Sequence, residues 1–146
     1  MNRIIIGIIL ITCAACNDGT DLDNPIFIGV DNTFELRSQA TAGVISLSQD
    51  TVTVEVLEIL DSRCPSDVVC IWAGYGYAKL ALSLNNDATT VELCIGQCAN
   101  GPYRTADTVR FELANKEMSA ILVGISPFPT TSNGSEEKRA LLEFTD

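Results

Sequence analysis

Lys79-Leu80-Ala81-Leu82-Ser83-Leu84-Asn85-Asn86-Asp87-Ala88-Thr89-Thr90-Val91-Glu92-Leu93-Cys94-Ile95 is the stretch from which the fold can be read. Leu80, Leu82 and Leu84 alternate with Lys79, Ala81 and Ser83, and Val91, Leu93 and Ile95 alternate with Thr90, Glu92 and Cys94. A period of two puts every second side chain on one face of a strand, so each run has one apolar face. Asn85-Asn86-Asp87 between them is turn-forming, and the pair reads as an antiparallel hairpin.

Working outward, Val109-Phe111-Leu113, Ile121-Val123-Ile125 and Ala140-Leu142-Phe144 repeat the alternation downstream. Upstream, Phe34 and Leu36 mark a first strand, Ile45 and Leu47 a short second, and Val52, Val54 and Val56 a longer one. Glu55 and Glu58 are three apart, so both can face water only if an extra residue is accommodated near Leu57, which predicts a β-bulge. Seven or eight such strands with no helical stretch predict an all-β chain, an antiparallel immunoglobulin-like β-sandwich, with a small barrel as the alternative. Ser126 to Glu137 is the longest irregular segment, a length at which loops are often functional.

The first residues have a different character. Met1-Asn2-Arg3 is a positive start, and Ile4 to Thr12 is an apolar run too short to span a bilayer, the layout of a secretory signal. The run ends Thr12-Cys13-Ala14-Ala15-Cys16-Asn17, which resembles the lipobox of bacterial lipoproteins, where a small residue precedes the cysteine that is acylated. Cleavage before Cys16 leaves an even number of further cysteines, whereas cleavage before Cys13 strands one thiol. The expected organisation is therefore a signal peptide at 1–15, an acidic tether at 16–25 beginning with lipidated Cys16, and one domain at 26–146. The address this implies is the bacterial cell envelope, on the periplasmic or surface face of the outer membrane.

Composition narrows the function classes. The net charge is -10 over 146 residues and moves to -11 once Arg3 leaves with the signal, a balance that repels phosphate backbones and argues against nucleic acid. Histidine is absent, which removes the commonest general base and the commonest metal ligand. No phosphate-cradling glycine loop, cofactor motif or metal-ligand spacing appears, and pairs such as Glu136-Glu137 or Asp61 with Asp67 arise readily among 19 acidic residues.

The remaining cysteines form two close pairs, Cys64 with Cys70 and Cys94 with Cys98. In an oxidising compartment they are expected as disulfides, and local pairing needs no assumption about long-range geometry, although a crossed pairing stays open. A four-thiolate zinc site is the rival, with spacings that fit it poorly.

Asp61-Ser62-Arg63-Cys64-Pro65 through Val68, with Cys70-Ile71-Trp72-Ala73-Gly74 and Ala78, resembles a motif of uncharacterised bacterial exported proteins and lipoproteins, written R-C-P-x-x-V-x-C-I-W-A-G. The chain departs from it in carrying Tyr75-Gly76-Tyr77 before the alanine. The resemblance supports address and fold and implies no chemistry. From the residues themselves, Trp72 is expected to pack on the neighbouring sulfurs as a plug at the mouth of the sandwich. The competing expectation is a binding surface made of Arg63, Trp72, Tyr75 and Tyr77. No catalytic residue is identified. The leading expectation is a non-catalytic binding or accessory module, held at the membrane by its lipid and facing an envelope protein or glycan. A periplasmic enzyme inhibitor that inserts the 64–70 loop, or a carboxylate-based hydrolase, are the alternatives.

Overall fold

The computed structural model describes residues 26–45, 50–99 and 101–146. Nine strands run through them: β1 (Ile26–Gly29), β2 (Phe34–Arg37), β3 (Thr41–Ile45), β4 (Thr51–Asp61), β5 (Tyr75–Leu84), β6 (Asp87–Gly96), β7 (Asp107–Leu113), β8 (Lys116–Ser126) and β9 (Arg139–Thr145). They form a five-stranded sheet in the order β1-β3-β4-β5-β6 and a four-stranded sheet in the order β2-β9-β8-β7. The two sheets pack face to face as a sandwich and do not close into a barrel. The expected signal peptide at 1–15, Cys16 and the expected tether lie outside the described residues.

The central hairpin is as read: β5 and β6 pair antiparallel across Asn85-Asn86, and Asn85 takes a φ of 57°, which Asn tolerates better than most residues. Leu80, Leu82, Leu84, Val91, Leu93 and Ile95 all point into the core. They meet Ala120, Leu122, Leu142 and Phe144 from the opposing sheet. Phe144 is the largest fully buried side chain, with Phe34 stacked 6.1 Å away and Phe111 edge-on at 6.3 Å.

Three expectations are corrected. Ile26–Gly29 is an edge strand, paired parallel with β3, that the alternation did not mark because four residues are too few to show a period. The second strand spans Thr41–Ile45 and buries Ala42 and Val44, while Leu47 lies outside the described residues. In β8 the inward residues are Met118, Ala120 and Leu122, with Ile121 and Val123 turned outward. The register shifts between Leu122 and Gly124, so Val123 is the extra residue and Ile125 returns to the core. A bulge of this kind reverses parity, and the alternation of Ile121, Val123 and Ile125 had concealed it.

The bulge expected near Leu57 is present, with the register of β4 against β5 shifting between Val56 and Glu58. Before it Val52, Val54 and Val56 face inward; beyond it Ile59 and Asp61 do. A carboxylate is thereby turned into the end of the sandwich, and this creates the frame of the functional site.

Candidate functional site

Antiparallel pairing brings three connections to one end of the molecule: 62–74 between β4 and β5, 97–106 between β6 and β7, and 127–138 between β8 and β9. Inside that end, Asp61 has a side chain 0% exposed and must be paired, since an uncompensated buried charge is strongly unfavourable. Arg63 pairs with it in a two-pronged contact, Nε to Oδ1 and Nη2 to Oδ2, each 2.8 Å. The same Nη2 donates to the Ile125 carbonyl at 2.6 Å, and the Phe128 ring lies 4.3 Å from the guanidinium. Lys138 comes within 4.0 Å of Asp61 and donates to the Pro127 carbonyl at 2.8 Å. One buried ion pair thus ties the first loop to the third.

The 62–74 loop is further held from within. Ser62 N–H donates to Tyr75 and Cys64 N–H to Ala73, which extends the β4–β5 ladder past the strands. Cys64 and Cys70 form a disulfide. Ser66 N–H donates to the Pro129 carbonyl at 2.9 Å. Asp67 accepts from the Thr131 backbone N–H at 3.0 Å and from its hydroxyl, and those hydrogen bonds hold its carboxyl below the ordinary aspartate range. Gly74 closes the loop at a φ of 70°, where a Cβ would lie 2.0 Å from the Ser62 carbonyl oxygen. Its own carbonyl accepts from Gln97 N–H at 2.8 Å, joining the first loop to the second.

The second loop is fastened by the Cys94–Cys98 disulfide and by reciprocal backbone bonds between Gly96 and Arg104. Asp107 accepts from Cys94 N–H at 2.9 Å and pairs with Arg104 at 2.8 Å. All four of these cysteines are consumed in local disulfides, so no thiolate remains among them for zinc.

What this frame presents is apolar. Val69 and Ile71 are almost wholly exposed, Trp72 is 73% exposed, and Val68, Tyr75 and Tyr103 are also open to solvent. Trp72 is therefore not the plug expected from sequence. The mouth of the sandwich is filled by the Asp61–Arg63 pair and by buried Pro129, with Phe128 over the guanidinium, which leaves the indole no interior site. Arg63, expected at the binding surface, is the buried member of this frame, its side chain 9% exposed.

Trp72 and Tyr75 do come together, along a shallow groove shared with Ser62, Gly74, Gln97 and Ala99. Among the described residues the groove lining holds no charged side chain, and what it offers is apolar and aromatic contact plus neutral hydrogen bonding. Val69, Ile71 and Gln97 were missed by sequence reasoning, although a short loop bounded by Pro65 and Gly74 has little interior in which aliphatic side chains could hide. Of the carboxylates considered for hydrolysis, Asp61 turns inward to Arg63 and Asp67 outward to Thr131, and they do not converge.

Tyr77 lies one step down the outer face of β5, partly covered, beside Glu92 and Lys79. Burial raises its pKa to about 12, helped by a hydrogen bond to Glu92 and by the negative charges of Glu92 and Glu58. Glu92 in turn is held low, first by its hydrogen bond with Lys79 and then by that with Tyr77. Because folding raises the Tyr77 pKa from 10.0, its contribution to stability is complete below pH 10 and is lost as pH rises towards about 12. Ultraviolet titration of the native protein should accordingly show a late tyrosine ionisation, and Tyr77→Phe should abolish that step. A late step that survives Tyr77→Phe would refute the assignment.

Comparison of the chain with protein-family models, with curated proteins and with solved structures finds no match.

Proposed function

We propose that this chain is an exported lipoprotein, anchored through Cys16, whose sandwich is a non-catalytic binding module engaging a component of the cell envelope through the tip of the 62–74 loop. The observation that carries the reading is the exposure of Val69, Ile71 and Trp72 on a loop held at both ends and along its length. Apolar side chains displayed together mark interaction sites, and a rigid display lowers the ordering entropy lost on contact. The resemblance of Arg63-Cys64-Pro65 through Gly74 to a motif of exported lipoproteins supports the address.

Two measurements test it. Mass spectrometry of the mature N-terminus should find acylated Cys16 followed by Asn17, and an unmodified terminus or one at Cys13 overturns the anchor. A photo-activatable residue at position 71 should capture an envelope component in the intact cell, whereas one at position 53, on the exposed outer face of β4, should not. Equal capture at both positions, or none at either, overturns the tip as the contact.

The protrusion of the disulfide-closed 64–70 segment favours a second reading, a periplasmic inhibitor that inserts this loop in an enzyme cleft. Capture of one soluble enzyme from position 71 would select it.

A further inference from the structure

Past Asp67 the tip carries no charged side chain, in a chain that is heavily charged. Residues 68–78 and 93–103 are two runs without an acid or a base, in a sequence with 19 acidic and 9 basic residues. The fold sets the two runs side by side at one end, where Trp72 and Gln97 share a groove. The aliphatic side chains Val69 and Ile71 project beyond a frame that cannot withdraw them, because Cys64–Cys70, Asp67–Thr131 and Gly74–Gln97 hold the loop on three sides. Aliphatic residues with Trp and Tyr just behind them suit the boundary between headgroups and acyl chains, where an aromatic ring can keep its polar atom wet.

Strand direction supplies an independent argument. β4 runs toward the loop end, β3 is antiparallel to it, and β1 is parallel to β3, so β1 runs away from the loop end. Ile26, the residue to which the preceding chain is bonded, therefore lies at the end of β1 that faces the tip. Ile26 is level with Ala42 and Val54; without the bulged residue, six steps lead from Val54 to Asp61 and three more along the extended ladder to Cys64, about 30 Å at ~3.3 Å per residue. Cys16 stands ten positions before Ile26, with nine residues between them. Ten extended steps reach at most about 33–36 Å. A lipid on Cys16 is thus joined to the domain at the end of β1 that faces the tip, and an extended tether brings it to the level of Cys64, at the base of the tip.

From these juxtapositions we infer that the component engaged by the tip is the lipid bilayer itself: Val69, Ile71 and Trp72 seat in its interfacial layer as a second attachment beside the Cys16 lipid. This rests on the lipoprotein reading and adds the partner to it. The domain then stands on its loop end, where Asp67, Glu136 and Glu137 are exposed around the neutral tip, with the acidic outer faces of both sheets directed away from the membrane or along it. A neutral tip on an acidic body favours a zwitterionic surface, since an anionic one repels the rest of the domain.

Trp72 is the only tryptophan in the chain and reports its own surroundings. The experiment uses the full-length protein as processed by its cell, reconstituted on phosphatidylcholine vesicles that contain or lack brominated acyl chains. Trp72 emission should be quenched by the brominated lipid, and its quenching by aqueous iodide should be several-fold weaker than for free tryptophan. The double variant Val69→Ser/Ile71→Ser, which changes only exposed side chains, should keep its urea midpoint while losing bromolipid quenching and regaining iodide quenching several-fold. Acylated protein that floats with vesicles while Trp72 stays open to iodide overturns the inference and leaves the anchor standing. Protection from iodide without bromolipid quenching places the tip against protein and also overturns it. A chain without acyl groups that does not float overturns the anchor together with the inference.

Discussion

Replacement of Arg63 by Ala should lower the folding free energy by about 3–5 kcal/mol, because it leaves the carboxylate of Asp61 inside the sandwich with only Lys138 at 4.0 Å and the backbone N–H of residue 63 at 3.3 Å to offset it. The loss includes the fork to both carboxylate oxygens, the bond to the Ile125 carbonyl and the stacking of Phe128. Lys138 is 4.0 Å from Asp61 and cannot replace two short bonds. Urea denaturation of the variant should show a lower midpoint with an unchanged slope. Arg63→Lys should recover little of the loss, since an ammonium presents no planar fork to the carboxylate. A change below about 1 kcal/mol would mean that Asp61 finds other compensation and that the frame does not depend on this pair.

Phe144→Ala should cost a comparable amount, about 3–5 kcal/mol, through the lost transfer energy of the ring and the cavity left behind. Phe144 lies on β9, between β2 and β8, and touches Phe34 from one neighbour while Phe111 meets it from β7. Its removal takes the shared contact out of the four-stranded sheet and loosens the packing of that sheet on Leu80, Leu82 and Leu93. Phe144→Leu, which keeps most of the volume, should cost markedly less. If both substitutions cost the same, the site collapses around either residue and the aromatic contacts contribute little. Comparison with Arg63→Ala separates the two ends of the argument: one removes core volume, the other a polar tie between loops.

These two residues also divide what was legible from what was not. Phe144 belongs to a plain alternation with Ala140 and Leu142, and its burial follows from period two alone. The same reasoning located the β5–β6 hairpin and, from Glu55 and Glu58, the bulge at Leu57. Arg63 was read as a surface residue because an arginine between a serine and a cysteine in a loop carries no sign of burial. Its position depends on Ile125 and Phe128, both more than sixty positions away, which β8 and the loop after it bring to it.

Local chemistry determined the local things: which face of each strand is apolar, where turns fall between them, and that Cys64 with Cys70 and Cys94 with Cys98 are close enough to pair. Those depend on neighbours within a few residues, and periodicity and spacing record them. The outward position of Trp72, the inward position of Asp61 and the shared groove with Gln97 were decided only by the tertiary structure. The reason is competition for one interior: a large aromatic ring is buried unless something else fills its place, and here the Asp61–Arg63 pair, Phe128 and Pro129 close the mouth of the sandwich from strands and loops far apart in the chain.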